Sequence, residues 1–136
     1  MIRVEWDRKF EVGHERIDFE HKIFLGLIRQ ASLLPETDTP RERVLRHLDE
    51  VKKYALFHFT SEENIMFDVA YPDVDKHSRE HAVLLALLDE RTHQYKNGDI
   101  LLDNIVSFLF EWFALHTTQV DTKLAKYIAR DQDSRV

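Results

Sequence analysis

Residues 44–66 read VLRHLDEVKKYALFHFTSEENIM, and in them Val44, Leu48, Val51, Ala55, His58, Glu62 and Ile65 follow one another at alternating steps of four and three. That is the period of one helical face. A strand would scatter the same residues over both of its faces. Just upstream, Thr39–Pro40 is a start signal: a cap residue, then the proline favoured at the first helical position. "AYPD" at 70–73 ends the run. A helix over about 40–68 follows. Its inner stripe is aliphatic at first, then turns to imidazole and carboxylate at His58 and Glu62.

The same reading extends outward. Residues 1–17 form an arm anchored by Val4, Trp6, Phe10 and Val12. Asp18 is placed to cap a first helix, whose inner face carries His21, Phe24, Leu25, Ile28 and Ala31 until "PETDTP" breaks it. Asp73 is placed to cap a third helix to about residue 95, with His77, His81, Leu84, Leu88 and Tyr95 inside. After "KNGD" a fourth helix runs from about residue 100 through Leu102, Ile105, Leu109, Trp112 and His116. Connections of about three to seven residues make successive helices antiparallel. The expected fold is all-α: an antiparallel up-down-up-down four-helix bundle with an extended N-terminal arm. One domain spans 1–136, divided into the arm 1–17, the bundle 18–130 and a polar tail 131–136 that frays or begins a linker.

Composition agrees. Only three Gly and three Pro among 136 residues disfavour a turn-rich β protein, and 43% hydrophobic residues supply a core. The net charge of −6, with no basic block, argues against nucleic acid as a partner. Without cysteine there is no disulfide, thiolate metal site or catalytic thiol. The N-terminus lacks a signal-peptide pattern and no stretch approaches a membrane span, so the expected location is cytoplasmic, without membrane insertion.

Chemistry enters with the polar residues on the apolar stripes. His21, His58, His77, His81 and His116 all fall on inward faces, and every helix contributes at least one. Residues four apart share a face, so His58 pairs with Glu62 and His77 with His81. A buried polar group without a partner costs about 1–3 kcal/mol, against a total stability of about 5–15 kcal/mol. Five imidazoles and a glutamate therefore demand compensation, and a metal supplies it most simply. Asp121 follows His116 by five residues. On a regular helix that leaves the two about 140° apart; they share a site only if a π-type turn or a break intervenes. His14, His47 and His93, in the arm or beside charged residues at helix surfaces, are read as lying outside the site.

No HExxH zinc motif is present, and a single Glu90-x-x-His93 falls short of the two such motifs of ferritin-like sites. Five imidazoles with two carboxylates are too many ligands for one ion. They suit two iron ions sharing carboxylate bridges and an oxo or hydroxo bridge. Counting each bridge twice fills about eleven of twelve octahedral positions and leaves one open.

"IDFEHKIF", "HFTSEENIM", "YPDVDKHSREH" and "WFALHTTQVD", in this order over nearly the whole length, resemble the hemerythrin family, of the bacteriohemerythrin type. The arm "VEWDRKFEVG" is similar too. The resemblance implies that His77, His81 and His116 hold one iron, that His21 and His58 hold the other, and that Glu62 and Asp121 bridge them. It implies dioxygen as the ligand at the open position of the two-histidine iron, with Phe24, Phe59, Trp112, Phe113 and Thr117 as the oxygen pocket. The chain departs from the family pattern at Thr117, where a bulky aliphatic residue is common, at Phe24, where leucine is frequent, and at Ala70, where glycine often precedes "YP". The expected function is reversible dioxygen binding as carrier, store or sensor, and not catalysis. The alternatives are a sensory module with an output domain or signalling partner, and a di-iron enzyme consuming peroxide or nitric oxide.

Overall fold

The computed structural model describes residues 3–134. Its elements are a 3-10 turn at Arg8–Phe10, α1 (Glu15–Ser32), α2 (Arg41–Asp68), α3 (Val74–Lys96), α4 (Leu102–Leu115), a π turn (His116–Asp121) and α5 (Thr122–Ser134). The last three follow without a gap and form the fourth rod of the bundle. Cross-helix contacts fix the directions. His47 and Ser61 of α2 meet Leu27 and Glu20 of α1, so residue numbers rise on one helix as they fall on the other. Arg41 and Lys52 meet Lys96 and Asp89 of α3 in the same sense. Lys123 and His116 meet Asp73 and Glu80, and the fourth rod returns along α1, with Asp121 at His21 and Phe113 at Phe24. The bundle is antiparallel throughout, as the short connections require.

Helix starts differ from expectation in detail. α1 begins at Glu15 because His14 caps it, its Nδ1 accepting from the Ile17 amide at 3.2 Å. Asp18 is not the cap. Its carboxylate accepts from the amides of Val12 and Gly13 and so folds the arm back onto the first turn, with Gly13 at φ +90° providing the bend. Pro40 itself occupies the cap position of α2, without a side-chain bond from Thr39. Asp73 stands at the cap of α3 but turns its carboxylate to Lys123 instead. Within the expected tail, α5 continues to Ser134, and residues 135–136 lie outside the described part.

α2 and α3 end alike. The Tyr71 amide reaches back to the Met66 carbonyl and the Asp99 amide to that of Gln94, the bonding of a helix stop with a left-handed residue. Gly98 (φ +81°) fills that place after α3, but after α2 it is Ala70 (φ +52°).

Apolar residues gather in two groups. The larger contains Phe24, Ile28, Leu48, Val51, Leu84, Leu88, Ile105, Leu109 and Phe113 among others; the smaller is Ile17, Met66, Tyr71, Leu124 and Ile128. On every helix the inward histidines and carboxylates lie between the two. The arm belongs to the larger group: Val4 and Phe10 are buried, and the Phe10 ring packs edge-on against Phe113 at 5.2 Å. Met66, rather than Ile65, is the buried residue at the end of the α2 stripe, while Tyr95 and Trp112 are half-buried.

Candidate metal centre

All seven candidate ligands are buried, Glu62 at 0% and Asp121 at 1% exposure. α1 supplies His21, α2 His58 and Glu62, α3 His77 and His81, and the π turn His116 and Asp121. The π turn is what brings the last two together. Its wider winding carries a residue five positions on back to nearly the same face, and His116 Nε2 lies 3.2 Å from Asp121 Oδ1.

The donor atoms form two overlapping groups, each with members within 4.8 Å of one another: Glu62, His77, His81, His116 and Asp121, and His21, His58, Glu62 and Asp121. The carboxylates belong to both, and their oxygens divide between them. Glu62 Oε1 lies 2.7 Å from His77 Nε2 and 3.2 Å from His81 Nε2, and Oε2 lies 3.5 Å from His58 Nε2. Asp121 Oδ1 lies 3.0 Å from His77 Nε2, and Oδ2 lies 3.1 Å from His21 Nε2.

These approaches are close but poorly aimed as hydrogen bonds. Both Glu62 oxygens, Asp121 Oδ1 and His81 Nε2 are buried with no hydrogen-bond partner among the described residues. His116 Nε2 faces His77 Nε2 at 3.2 Å, nitrogen to nitrogen. Lone pairs aimed at shared points rather than at one another are the arrangement that cations satisfy, so the residues fit a metal group. Imidazole nitrogen and carboxylate oxygen are donors that suit iron.

Electrostatics of the metal-free residues says the same. Burial alone would raise the Glu62 carboxyl, and Asp121 would push it further, yet His77 and His81 hold it below its ordinary value. Asp121, also opposed by burial, is held well below the usual range by His116, His21 and His77. Burial would lower His77, but Asp121 and Glu62 push it up to about 10. The cluster favours anionic carboxylates and demands positive charge beside them.

Sequence reasoning missed a second layer. His58 Nδ1 donates to Glu20 at 2.7 Å and His81 Nδ1 to Glu63 at 2.8 Å, while Glu80 lies 3.4 Å from His116 Nδ1. Each carboxylate is carried by the helix preceding that of its histidine. Glu20 also accepts from Ser61 and Arg16. Burial would raise its carboxyl, but His58, Ser61 and Arg16 together lower it. Such partners fix the ring and tautomer of a ligating histidine and make it more basic. The available signal was that Glu20, Glu63 and Glu80 each adjoin a candidate ligand in sequence. Which histidine each serves depends on the rotation of neighbouring helices, which spacing along one helix does not contain.

Phe24 and Phe113 lie beside the two-histidine group, and Phe59 reaches both groups, stacking on His81 at 4.0 Å. Phe113 is edge-on to His21 at 5.6 Å, and Phe24 and Phe59 meet His58 at 6.3 and 5.8 Å. Trp112 joins these rings through Phe59, edge-on at 5.7 Å, and stacks on the His116 ring at 4.3 Å, while Thr117 is buried in the π turn. His14 caps α1 and His93 is exposed. His47 is not at the surface as expected: it is buried and bonds the Leu27 carbonyl at 2.8 Å.

The hemerythrin HHE cation binding domain model matches residues 12–128. The chain belongs to this family. Hemerythrins are non-haem iron proteins that bind dioxygen, and this chain is one of them. It is 25% identical over 128 residues to a bacteriohemerythrin of Stenotrophomonas maltophilia, covering 94% of this chain and 83% of that one. It is 28% identical over 134 residues to one of Ralstonia nicotianae, covering 97% and 94%. A crystal structure of wild-type hemerythrin shares the fold, with a TM-score of 0.81 at 21% identity, covering 92% of this chain and 97% of that one. As in the sequence reading, no helix among the described residues is long and apolar enough to cross a membrane.

Proposed function

We propose that this hemerythrin holds two non-haem iron ions, His77, His81 and His116 ligating one, His21 and His58 the other, and Glu62 and Asp121 bridging them, and that it binds dioxygen reversibly rather than consuming it. The observation that carries this reading is the division of each buried carboxylate between two groups of imidazoles. When bound, ferrous iron supplies the electrons that dioxygen binding needs.

The chain's own residues do the rest. Glu20 and Glu63 hold two of the imidazoles by their outer nitrogens, and Glu80 lies beside that of a third, so the rings present Nε2 inward. Phe24, Phe59 and Phe113 form an apolar wall beside His21 and His58, which excludes water from that side. Thr117 brings the nearest non-ligand hydroxyl in sequence to His116, in the π turn. Five neutral imidazoles against two carboxylates leave few anionic donors to stabilise high oxidation states, which favours binding over turnover.

The test is the visible spectrum of the iron-loaded protein through cycles of oxygen exposure and removal, with iron measured on the same sample. Two irons per chain and an absorption band that appears and disappears with oxygen are expected. Steady oxygen or peroxide consumption with an electron donor would overturn the binding reading, and one iron per chain would overturn the ligand set.

A further inference from the structure

The fourth rod leaves a groove of about 500 Å³ against α3, over the three-histidine end of the centre. Val83 of α3 and Leu115 of α4 line it, 55% and 59% exposed, and Val120 adds to the apolar wall. Trp112 and His116 line it as well. Their rings are stacked at 4.3 Å and 14°, so an aromatic path runs from this surface groove to a candidate iron ligand. Lys76 and Arg79 also border the groove, three residues apart on one face of α3. Neither forms an ion pair among the described residues, in a chain of net charge −6. Glu80, the one carboxylate in the lining, lies 3.4 Å from His116 Nδ1.

The volume is that of a small-molecule site. The apolar lining asks for a hydrocarbon or aromatic body, and two cations without a close ion pair, Lys76 acting on Asp73 only at longer range, ask for an anion with several acceptor oxygens, of which phosphate is the best match. An oxygen-binding centre that loses electrons to its ligand also needs a way to be reduced again.

We propose that this groove docks a planar aromatic phosphate of the dihydroflavin class, which returns the oxidised centre to the ferrous state through Trp112 and His116. The proposal rests on the di-iron reading above. Two electrons leave the reduced flavin ring, one for each ferric ion. The ring becomes oxidised flavin and its two hydrogens leave as protons to solvent, so two ferrous ions and two protons balance one dihydroflavin. Lys76 and Arg79 hold the phosphate, and the apolar lining holds the ring.

The probe is flavin mononucleotide, followed by fluorescence anisotropy against the iron-loaded protein, with riboflavin as the same ring without phosphate. Saturable binding of the phosphate form is expected. It should weaken by about tenfold or more in Lys76→Glu/Arg79→Glu, and riboflavin should bind correspondingly worse. In anaerobic mixing, reduction of the ferric protein by dihydroflavin mononucleotide should slow in the same double variant. It should slow in Trp112→Leu by more than binding alone accounts for. Lys52→Glu/Arg43→Glu, away from the groove, should change neither reading. Absence of saturable binding, or binding and reduction that ignore the charge reversals, would overturn the proposal. Iron content and the oxygen-dependent band of the same samples report on the centre separately: both should be intact in Lys76→Glu/Arg79→Glu, so a failed groove and a failed centre give different results.

Discussion

At the scale of single residues, identical side chains do different work according to what each ring nitrogen meets. His77 points Nε2 at both buried carboxylates, whereas His47 spends its ring on one carbonyl of α1. His77→Ala should therefore lower iron content. His47→Ala should leave iron content full while costing about 1–3 kcal/mol in urea unfolding, because it strands a buried carbonyl. Equal loss of iron from both variants would show that the ligands have been misassigned. Glu63 bonds the far nitrogen of His81. Glu63→Gln removes a negative charge that favours the higher iron charge, so the reduction potential should rise in a redox titration. Weaker metal binding, on the usual scale of about 10–100-fold for such partners, should accompany it. An unchanged potential would limit Glu63 to holding the ring in place.

At the scale of elements, the ends of helices are where sequence and structure part. Their middles were legible because the apolar period is long and regular: Val44, Leu48, Val51, Ala55, His58 and Glu62 are all buried as read. The starts were not, because capping is a competition among nearby polar groups. Asp18 and Asp73 are good caps by type, but each found a stronger partner, two arm amides for the first and Lys123 for the second. The π turn was legible as a condition, since His116 and Asp121 meet only if the helix widens between them. The cross-helix service of Glu20, Glu63 and Glu80 was not, since it depends on how neighbouring helices are rotated. Ala70 shows a sequence departure with a physical cost. It occupies a left-handed conformation at φ +52°, which costs a residue with a Cβ about 1–2 kcal/mol. Ala70→Gly should raise the midpoint of thermal unfolding, with a gain of about 1 kcal/mol after glycine's greater unfolded-state freedom is deducted. A lower midpoint would mean that the methyl group contributes more than its strain takes away.

At the scale of the whole molecule, the centre couples stability to pH. In the chelated protein His77 is raised to about 10 by Asp121 and Glu62 against its burial. That contribution is complete below about pH 6.5 and is lost as pH rises through about 10. Glu62 and Asp121 are depressed, so theirs is complete above about pH 4.5 and is lost as pH falls through their lowered values. Iron takes the place of those protons, because its imidazole ligands must be neutral. The gap in Tm between loaded and chelated protein should widen from pH 6 to pH 9, and loading near neutral pH should release protons to an indicator dye. A gap that stays constant would separate His77 from the metal.

The division of the interior into two apolar groups with a polar layer between them also bears on how the chain opens. The small group of Ile17, Met66, Tyr71, Leu124 and Ile128 is joined to the rest across a layer of imidazoles and carboxylates. Without iron, that layer is joined only by protonated imidazole–carboxylate pairs and should transmit less cooperativity. Native-state hydrogen exchange of the chelated protein should show amides of the α5 end escaping through a low-energy opening, well below the energy that releases those around Leu48, Val51 and Ile105. Iron should merge the two populations into one that opens only by global unfolding. The metal then decides whether the molecule behaves as one cooperative unit or two.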